Sequence, residues 1–406
     1  MARTRMDTGK RERRAASRTR YRRSPHVLCY WKHGTFLFHN YATGVRAGAT
    51  PLAVDVLDFF DDWKPIDALL QDKPGAPREA LEELLTAFLE AGLLHRSDRP
   101  IRPEEEAMAR FDRWNPEAGF FHMATKDVRF IDQRTAQQHL SRQAEDWPMP
   151  VPVKRYEGAA TVPLDPVDRD SPVARALLER RSWRRFGDGK VARETFSTLL
   201  GLTAGVQHWV TVSANQRIPL KTSPSGGARH PVELYTLAWG IDGLEPGLYH
   251  YASDAHLLEL LRPGLGAERV PAYLPFGDYW CDACAIVLFS AVYERDLWRY
   301  GYSRAYRAPF IEAGHLCQTF CLLASSYSLA PFCAMGLADS AIERDLGLDG
   351  VSESVLYIAG VGIRPDGVAW APAPHGFEDP RVEPNPYLQD VSRKPRAPAR
   401  RRSSAP

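Results

Sequence analysis

Residues 222–237 read TSPSGGARHPVELYTL, in which two adjacent glycines precede a segment of alternating pattern. The alternation from Val232 to Leu237 predicts a β-strand with one buried face. Adjacent glycines remove two side chains, which lets the backbone approach a flat ligand closely. The same glycines also suit a tight turn before a strand. From these residues alone, the tight turn is the favoured interpretation.

A second stretch, ERRSWRRF at 179–186, places four arginines around one serine. The preceding SPVARALLE predicts a helix, since Ser171 can cap its N-terminus. After Arg180 we expect an extended chain, in which alternate residues share a face. Arg180, Ser182 and Arg184 then lie on one side, and two guanidiniums flanking a hydroxyl suit a phosphate monoester. A solvated basic patch at the helix C-terminus, where cations are favoured, is the alternative.

The third informative stretch covers residues 299–347. It begins with RYGYSRAYR, continues into a long apolar helix and reaches MGLAD at 335–339. Ser340 and Glu343 then have the spacing of a capping box, which predicts the start of another helix. SVLYIAGVGI predicts a buried strand after it. Helices, strands and this closing strand together predict an α+β domain at 171–370.

The order and spacing of these three stretches resemble the flavin-dependent nitroreductase fold and, within it, the SagB-type dehydrogenases. The resemblance covers residues 171–364. It implies a central, mostly antiparallel sheet flanked by helices, with FMN as the cofactor. A single phosphate cradle and the absence of a G-x-G-x-x-G motif after a strand favour FMN over FAD or a dinucleotide. The cofactor-binding residues that the resemblance implies are Arg180, Ser182, Arg184, Pro224, Ser225, Gly226, Gly227, Gly336 and Arg364.

The resemblance also implies an activity. SagB-type dehydrogenases oxidise thiazoline and oxazoline rings to thiazoles and oxazoles in ribosomally made peptides. They often have a Lys-Tyr pair where this chain has Arg299 and Tyr300. Because arginine effectively cannot lose its proton, Tyr300 is the expected proton acceptor, and Arg299 would supply a stabilising charge. Two alternatives remain: a NAD(P)H-dependent nitro- or ene-reductase acting on a small molecule, and a non-catalytic flavoprotein subunit of a peptide-modifying complex.

The expected partners follow from the same resemblance. It implies a modified precursor peptide as substrate and a cyclodehydratase as a partner enzyme. It also implies a homodimer, because YR…EAGHLCQ at 306–318 resembles the family's helix at the dimer interface. The apolar character of this helix is consistent with a second copy covering one of its faces.

Charge is distributed unevenly along the chain. The whole chain has a net charge of +2, whereas residues 1–23 have +8 and residues 391–406 have +6, so residues 24–390 have −12. A nucleic-acid-binding protein would show a basic surface on its folded elements too, so we expect no nucleic-acid partner. The two ends are rich in Arg, Ser, Pro and Ala and cannot bury a core. We therefore expect disordered tails at 1–25 and 371–406.

Residues 26–100 predict a small winged-helix-like domain, with a strand, three short helices and a closing strand. The third helix carries four glutamates, Glu79, Glu82, Glu83 and Glu90. Phosphates would be repelled by that face, so a peptide or a partner protein is the preferred ligand over DNA. Residues 101–170 predict a polar connector with one helix at PEEEAMARFDRW.

The six cysteines mostly lie among apolar residues, which is typical of buried, reduced thiols in a cytosolic protein. CDAC at 281–284 and CQTFC at 317–321 invite comparison with a zinc site. The second pair is separated by three residues and lies in an apolar helix, so structural cysteines and no metal are favoured. No apolar run reaches the roughly 18 residues of a membrane span. We therefore expect a cytoplasmic protein with no membrane partner.

Overall fold

The computed structural model describes residues 19–366 with a few short gaps. The gaps are 112–115, 128–130, 132, 148–149, 166, 168, 215 and 278. Residues 1–18 of the predicted N-terminal tail and the whole predicted C-terminal tail at 371–406 lie outside the described residues. The end of the predicted α+β domain, 367–370, lies outside them too. The predicted tail boundary at residue 25 is wrong, because Arg20–Arg23 form a strand that pairs with two others. Tyr21 in this strand packs on the ring of Phe60, which gives the segment an apolar anchor among its arginines.

The N-terminal unit contains two small antiparallel sheets and three helices. Its strands are β1 (Arg20–Arg23), β2 (Val27–Lys32), β3 (Thr35–Asn40), β4 (Val45–Gly48), β5 (Lys64–Pro65) and β6 (Leu94–Arg96). Its helices are α1 (Pro51–Phe59), α2 (Ile66–Asp72) and α3 (Arg78–Glu90). The sheets have the orders β5-β1-β6 and β2-β3-β4. Leu81, Leu85 and Phe88 form the buried face of α3, and Gly92 follows the helix at a φ of +67°.

The predicted connector is more structured than its polar composition indicated. It contains the helices α4 (Pro103–Met108), α5 (Pro116–Thr125) and α6 (Gln133–Asp146). Met108 and Phe111 are buried in a cluster with Tyr293 and Tyr306 of the following domain. A few apolar side chains thus fix the first half of the connector, and they are too sparse to produce a recognisable amphipathic pattern.

His122 on α5 forms a second link between the connector and the following domain. Its Nε2–H donates to the Gly350 carbonyl at 2.8 Å, and its Nδ1 accepts from the Tyr306 hydroxyl at 2.8 Å. Burial lowers the pKa of His122 to about 4, so the ring is neutral at pH 7 and can play both roles. The connector is therefore docked on the elements that follow residue 290 rather than tethered loosely to them.

The C-terminal domain is built on a six-stranded sheet of order β11-β10-β9-β12-β14-β13, with all pairings antiparallel. Its strands are β7 (His208–Ser213), β8 (Gln216–Leu220), β9 (Val232–Ala238), β10 (Gly247–Ala252), β11 (Leu257–Pro263), β12 (Ala285–Val292), β13 (Leu329–Ala334) and β14 (Glu353–Ile363). Its helices are α7 (Pro172–Glu179), α8 (Arg193–Ala204), α9 (Val270–Tyr273), α10 (Glu294–Leu297), α11 (Ala308–Ser326) and α12 (Asp339–Leu346). Strands β7 and β8 form a separate hairpin.

Both faces of the sheet are buried, and alternate residues of β12 show this directly. Val287 and Phe289 belong to one apolar cluster, which includes Phe320 of α11. Ile286 and Leu288 belong to a second cluster on the opposite face. A strand buried on both faces reads as a continuous apolar run, as AIVLFSAV does. Helices on both faces of an antiparallel sheet confirm the predicted α+β class.

The predicted capping box at Ser340 is wrong. Helix α12 begins at Asp339 after Ala338, which provides no side-chain cap. Ser340 instead donates its hydroxyl to Asp127 of the connector. Glu343 is buried and accepts from Lys126 at 2.6 Å and from Ser354 at 2.7 Å. Both side chains hold the connector and β14 in place, and tertiary contacts therefore override the local capping pattern.

The cysteines are all free thiols. Cys284, Cys317 and Cys321 are buried as expected, whereas Cys29 is exposed on β2. Among the described helices, none combines the length and apolar character that crossing a bilayer would require.

The two glycines in the second half of β14 accommodate aromatic rings against the strand. A Cβ at Gly360 would collide with the ring of Phe332, which also packs on Trp280 with ring centroids 4.2 Å apart. We expect Gly360→Ala to lower the free energy of unfolding by about 1–3 kcal/mol, because the core would be overpacked. Urea denaturation would measure this.

The matched control is Gly48→Ala in strand β4, where an added methyl meets nothing within 4 Å. It should change stability by less than about 0.5 kcal/mol. Equal effects of the two substitutions would contradict the packing described for β14.

Candidate functional site

The chain from Arg180 to Arg185 follows directly from helix α7 and forms neither a helix nor a strand. Ser171 caps that helix by accepting from the amide of Ala174. Trp183 is buried, and its amide donates to the Pro331 carbonyl at 2.8 Å, which fixes the segment against β13. Arg180, Ser182 and Arg184 alternate with Trp183 and are partly exposed.

Arg364 is brought to the same place from the end of β14. Its guanidinium lies 5.4 Å from the centroid of the Trp183 ring, and the Gly187 amide donates to the Ile363 carbonyl at 2.9 Å. Arg364 also donates to the carbonyls of Leu329 and Ser325. Within the described part of the chain, none of Arg180, Arg184 and Arg364 forms an ion pair with a carboxylate. We call these three arginines together with Ser182 the arginine cradle, and its donor set fits a phosphate group.

Gly227 lies against Arg299 and Tyr300, so the second and third stretches of the sequence meet in space. A Cβ at Gly227 would lie 2.6 Å from the Tyr300 hydroxyl and 2.7 Å from Arg299 Nε. Gly227 also has a φ of +60°, which strongly favours glycine. Arg299 Nε donates to the Tyr300 hydroxyl oxygen at 3.1 Å. We call Gly227, Arg299 and Tyr300 the Tyr300 cluster.

The C-terminal domain resembles known proteins. Residues 177–363 match the nitroreductase family model. Residues 177–363 are thus similar to the nitroreductase family and have its fold. Proteins of this family are oxidoreductases that generally bind FMN.

Two curated relatives and one solved structure show the range of similar proteins. The trifolitoxin-processing protein TfxB of Rhizobium leguminosarum bv. trifolii is 27% identical over 248 residues, which are 57% of this chain and 63% of that protein. A protein of Methanocaldococcus jannaschii named as a nitroreductase is 29% identical over 187 residues, 46% of this chain and 88% of its own length. A chain of an E. coli microcin synthetase complex with truncated pro-MccB17 bound is 18% identical with a TM-score of 0.45, covering 64% of this chain and 98% of that one. This chain thus spans less than two thirds of the trifolitoxin-processing protein.

Near the Tyr300 cluster, the C-terminal domain contains buried ionisable side chains that no sequence motif indicated. Asp296 is fully buried one helical turn before Tyr300, and neither of its carboxylate oxygens has a hydrogen-bond partner among the described residues. Burial raises the pKa of Asp296 to about 6. The Asp296 carbonyl accepts from the amides of Arg299 and Tyr300, so this residue also fixes the local backbone.

Glu312 and His230 are two further buried ionisable side chains, and they face each other. Glu312 Oε1 lies 3.8 Å from His230 Nδ1, and both side chains are buried. Burial raises the pKa of Glu312 to about 7, while a hydrogen bond from Ser225 works in the opposite direction. Burial, assisted by the charge of Lys221, lowers the pKa of His230 to about 4. His315, one helical turn after Glu312, is exposed and takes no part in this pair.

The arginine cradle and the loop that carries Gly227 contact opposite ends of helix α11. Arg364 contacts Ser325 near the helix C-terminus, whereas His230 faces Glu312 near the N-terminus. Thirteen residues separate these two positions, which corresponds to about 20 Å along the helix. Of the other predicted residues, Pro224 and Ser225 precede Gly226 and Gly227 on one loop, with Ser225 accepting from the His230 amide at 2.8 Å. Gly336 lies in the loop between β13 and α12.

The contact between Gly227 and Tyr300 predicts a coupling that can be measured. Gly227→Ala should destabilise the domain because of its positive φ and the two close contacts. The cost should be smaller in a Tyr300→Phe background, since the hydroxyl 2.6 Å from the new methyl is then absent. A double-mutant cycle by urea denaturation measures the difference.

Gly226→Ala is the matched control, because a methyl there meets nothing within 4 Å. Its cost should be the same with Tyr300 or Phe at position 300. If the two backgrounds gave the same cost for Gly227→Ala as well, the proposed contact would be excluded.

Proposed function

We propose that this protein is an FMN-dependent dehydrogenase that oxidises thiazoline or oxazoline rings to thiazoles or oxazoles in a ribosomally made peptide. The observation that carries the proposal is the contact of Gly227 with the Arg299–Tyr300 pair, next to Gly226, which has nothing within 4 Å of an added methyl. It joins a segment suited to close approach by a flat ring with a side chain that can accept a proton. The relationship to a trifolitoxin-processing protein supports a peptide as the substrate.

The arginine cradle is the proposed site for the FMN phosphate. Three guanidiniums without carboxylate partners among the described residues, and one serine hydroxyl, offer the charged and neutral donors that a phosphate monoester needs. Pro224, Ser225, Gly226 and Gly227 would run along the flavin ring, and Gly336 would lie in a loop that closes over it. When bound, FMN supplies a hydride acceptor.

Tyr300 is the proposed proton acceptor. Oxidation of an azoline ring removes a proton from the carbon that bears the acidic hydrogen, and a base must be within hydrogen-bonding reach of it. Arg299 holds the Tyr300 oxygen through its Nε–H, and its positive charge would stabilise the phenolate form. We assign the base role to the tyrosine because the guanidinium effectively cannot lose a proton.

We further infer a homodimer, a cyclodehydratase as partner enzyme and a cytoplasmic location. Phe310 and Ile311 on α11 are 41% and 59% exposed, and a second copy would cover them. The N-terminal unit would contact the peptide or the partner enzyme, since the four glutamates of α3 are exposed and would repel nucleic acid. Six free thiols are consistent with a reducing compartment.

Flavin retention tests the arginine cradle. We expect the purified protein to be yellow and to release FMN on denaturation. Arg180→Ala and Arg184→Ala should each weaken FMN binding by roughly 10- to 150-fold, since a charge-assisted hydrogen bond contributes about 1.5–3 kcal/mol. Titration of the apoprotein with FMN, followed by flavin fluorescence, would give the dissociation constants.

Arg185→Ala is the control for this experiment, because Arg185 is exposed and lies on the opposite side of the extended segment. Its FMN affinity should equal that of the wild type. Wild-type affinity in an Arg180→Ala/Arg184→Ala double variant would show that the cluster is only a solvated basic patch.

Mass spectrometry tests the reaction itself. An azoline-containing peptide incubated in air with the FMN-loaded protein should lose the mass of two hydrogen atoms per ring. Tyr300→Phe should abolish this loss while the flavin stays bound, because the phenol that accepts the proton is absent. Tyr302→Phe is the control, since Tyr302 is a 56% exposed neighbour whose ring centroid lies 6.0 Å from that of Tyr300.

Two other outcomes would reassign the protein. Rapid bleaching of the flavin by NADPH with no azoline turnover would favour a nitro- or ene-reductase. Flavin binding with neither reaction would favour a non-catalytic flavoprotein subunit of a peptide-modifying complex.

A further inference from the structure

A polar cavity of about 480 Å³ adjoins the loop that carries Gly227. Its walls come from the β7–β8 hairpin, the loop before β9 and the strands β10 and β11, with Arg295 at one side. Ala228 and Arg229 line it, and the preceding residue, Gly227, contacts Tyr300. A group bound in this cavity would contact the loop that carries Gly227.

Two of the acidic side chains that line this cavity, Glu233 and Glu259, already have basic partners. Glu233 forms ion pairs with Arg295 and with His250, the latter at 3.3 Å. Glu259 lies 2.7 Å from the other ring nitrogen of His250. Hydrogen bonds to these two carboxylates raise the pKa of His250. The remaining acid, Asp254, is exposed.

Three cations in the same cavity have no carboxylate bonded to them among the described residues. Lys221 Nζ donates to the Ser253 hydroxyl at 3.2 Å. The guanidinium of Arg217 lies 4.4 Å from the ring centroid of Trp209. Arg229 Nε donates to the Gly227 carbonyl at 3.0 Å. The cavity thus offers unpaired positive charge within a protein body that is strongly acidic overall.

Lys221 is the most informative of the three because its side chain is half-buried. Burial is the main cause that lowers its pKa, and the nearby charges of Glu233 and Glu312 oppose it only partly. A desolvated ammonium with one neutral hydroxyl partner gains more from an incoming anion than a surface lysine does. Trp209, Ile218 and Pro219 add an apolar wall against which a short aliphatic chain can pack.

We propose that this cavity is a carboxylate-binding subsite for the substrate, in which Lys221 and Arg217 hold an acidic group of the peptide close to the ring that is oxidised. The inference rests on the proposed function, since it assigns the cavity to the substrate of the same site. The carboxylate comes either from an Asp or Glu side chain near the ring or from the peptide C-terminus. Lys221 and Arg217 are thus specificity-determining residues.

The test uses the full-length FMN-loaded protein and short azoline peptides that differ in one group. One pair has Asp or Asn beside the ring, and a second pair has a free or an amidated C-terminus. Binding is measured by fluorescence anisotropy of labelled peptides, and turnover by mass spectrometry. We expect the wild type to bind one acidic member at least about tenfold more tightly than its neutral counterpart, the range of one charge-assisted hydrogen bond. The pair that shows the difference identifies the source of the carboxylate.

Lys221→Met and Arg217→Gln should each remove most of this discrimination while leaving the affinity for the neutral peptide and the flavin content unchanged. Arg217 is exposed on the hairpin, so its variant should fold even if the variant at the half-buried Lys221 does not. Lys190→Met, at an exposed lysine outside the cavity, is the control and should discriminate as the wild type does. Equal affinity of the wild type for both members of both pairs would overturn the proposal, and so would unchanged discrimination in the two cavity variants.

Anisotropy and turnover separate the two levels of the argument. If the protein discriminates acidic from neutral peptides but oxidises none, the subsite stands and the azoline reaction fails. If it oxidises the peptides without discriminating between them, the reaction stands and the subsite fails.

Discussion

Burial of helix α11 against the six-stranded sheet is the constraint on which both parts of the candidate site depend. Phe320 and its apolar neighbours fix the helix on one face of the sheet. The C-terminal end of the helix then accepts Arg364 of the arginine cradle, and the N-terminal end places Glu312 behind the loop that carries Gly227. A shift of this helix would move both parts together, so its apolar packing sets their relative position.

The buried ionisable groups near Tyr300 depend on the same packing. Asp296, Glu312 and His230 are removed from water by the elements around them, and burial is the main cause of each pKa shift. Such groups are costly unless they are neutral or paired. Asp296 and Glu312 have raised pKa values and His230 a lowered one, so all three move towards the neutral form, and the cost is reduced in that way.

Much of the domain was accessible from the sequence because its signals are local. The run AIVLFSAV indicates a strand buried on both faces, and the alternation of Arg180, Ser182 and Arg184 follows from an extended chain. The pairing of Gly227 with Tyr300 could be anticipated only through the resemblance to a family, since the two residues are far apart in the chain. Lys221 and Asp296 were missed because a single charged residue has no pattern, and its burial depends on elements distant in sequence. The prediction for Ser340 was wrong because Ser340 and Glu343 have the spacing of a capping box, whereas both side chains form tertiary contacts instead.

The docking of the connector has a consequence for the limits of the domain. Similarity to the nitroreductase family begins at residue 177, yet Lys126 neutralises the buried Glu343, and His122 satisfies Tyr306 and the Gly350 carbonyl. Removing these partners would leave a buried carboxylate without a counter-ion, which is strongly destabilising. The stability of the nitroreductase-like residues therefore depends on contacts with residues well upstream of position 177. In this protein, homology and folding autonomy have different boundaries.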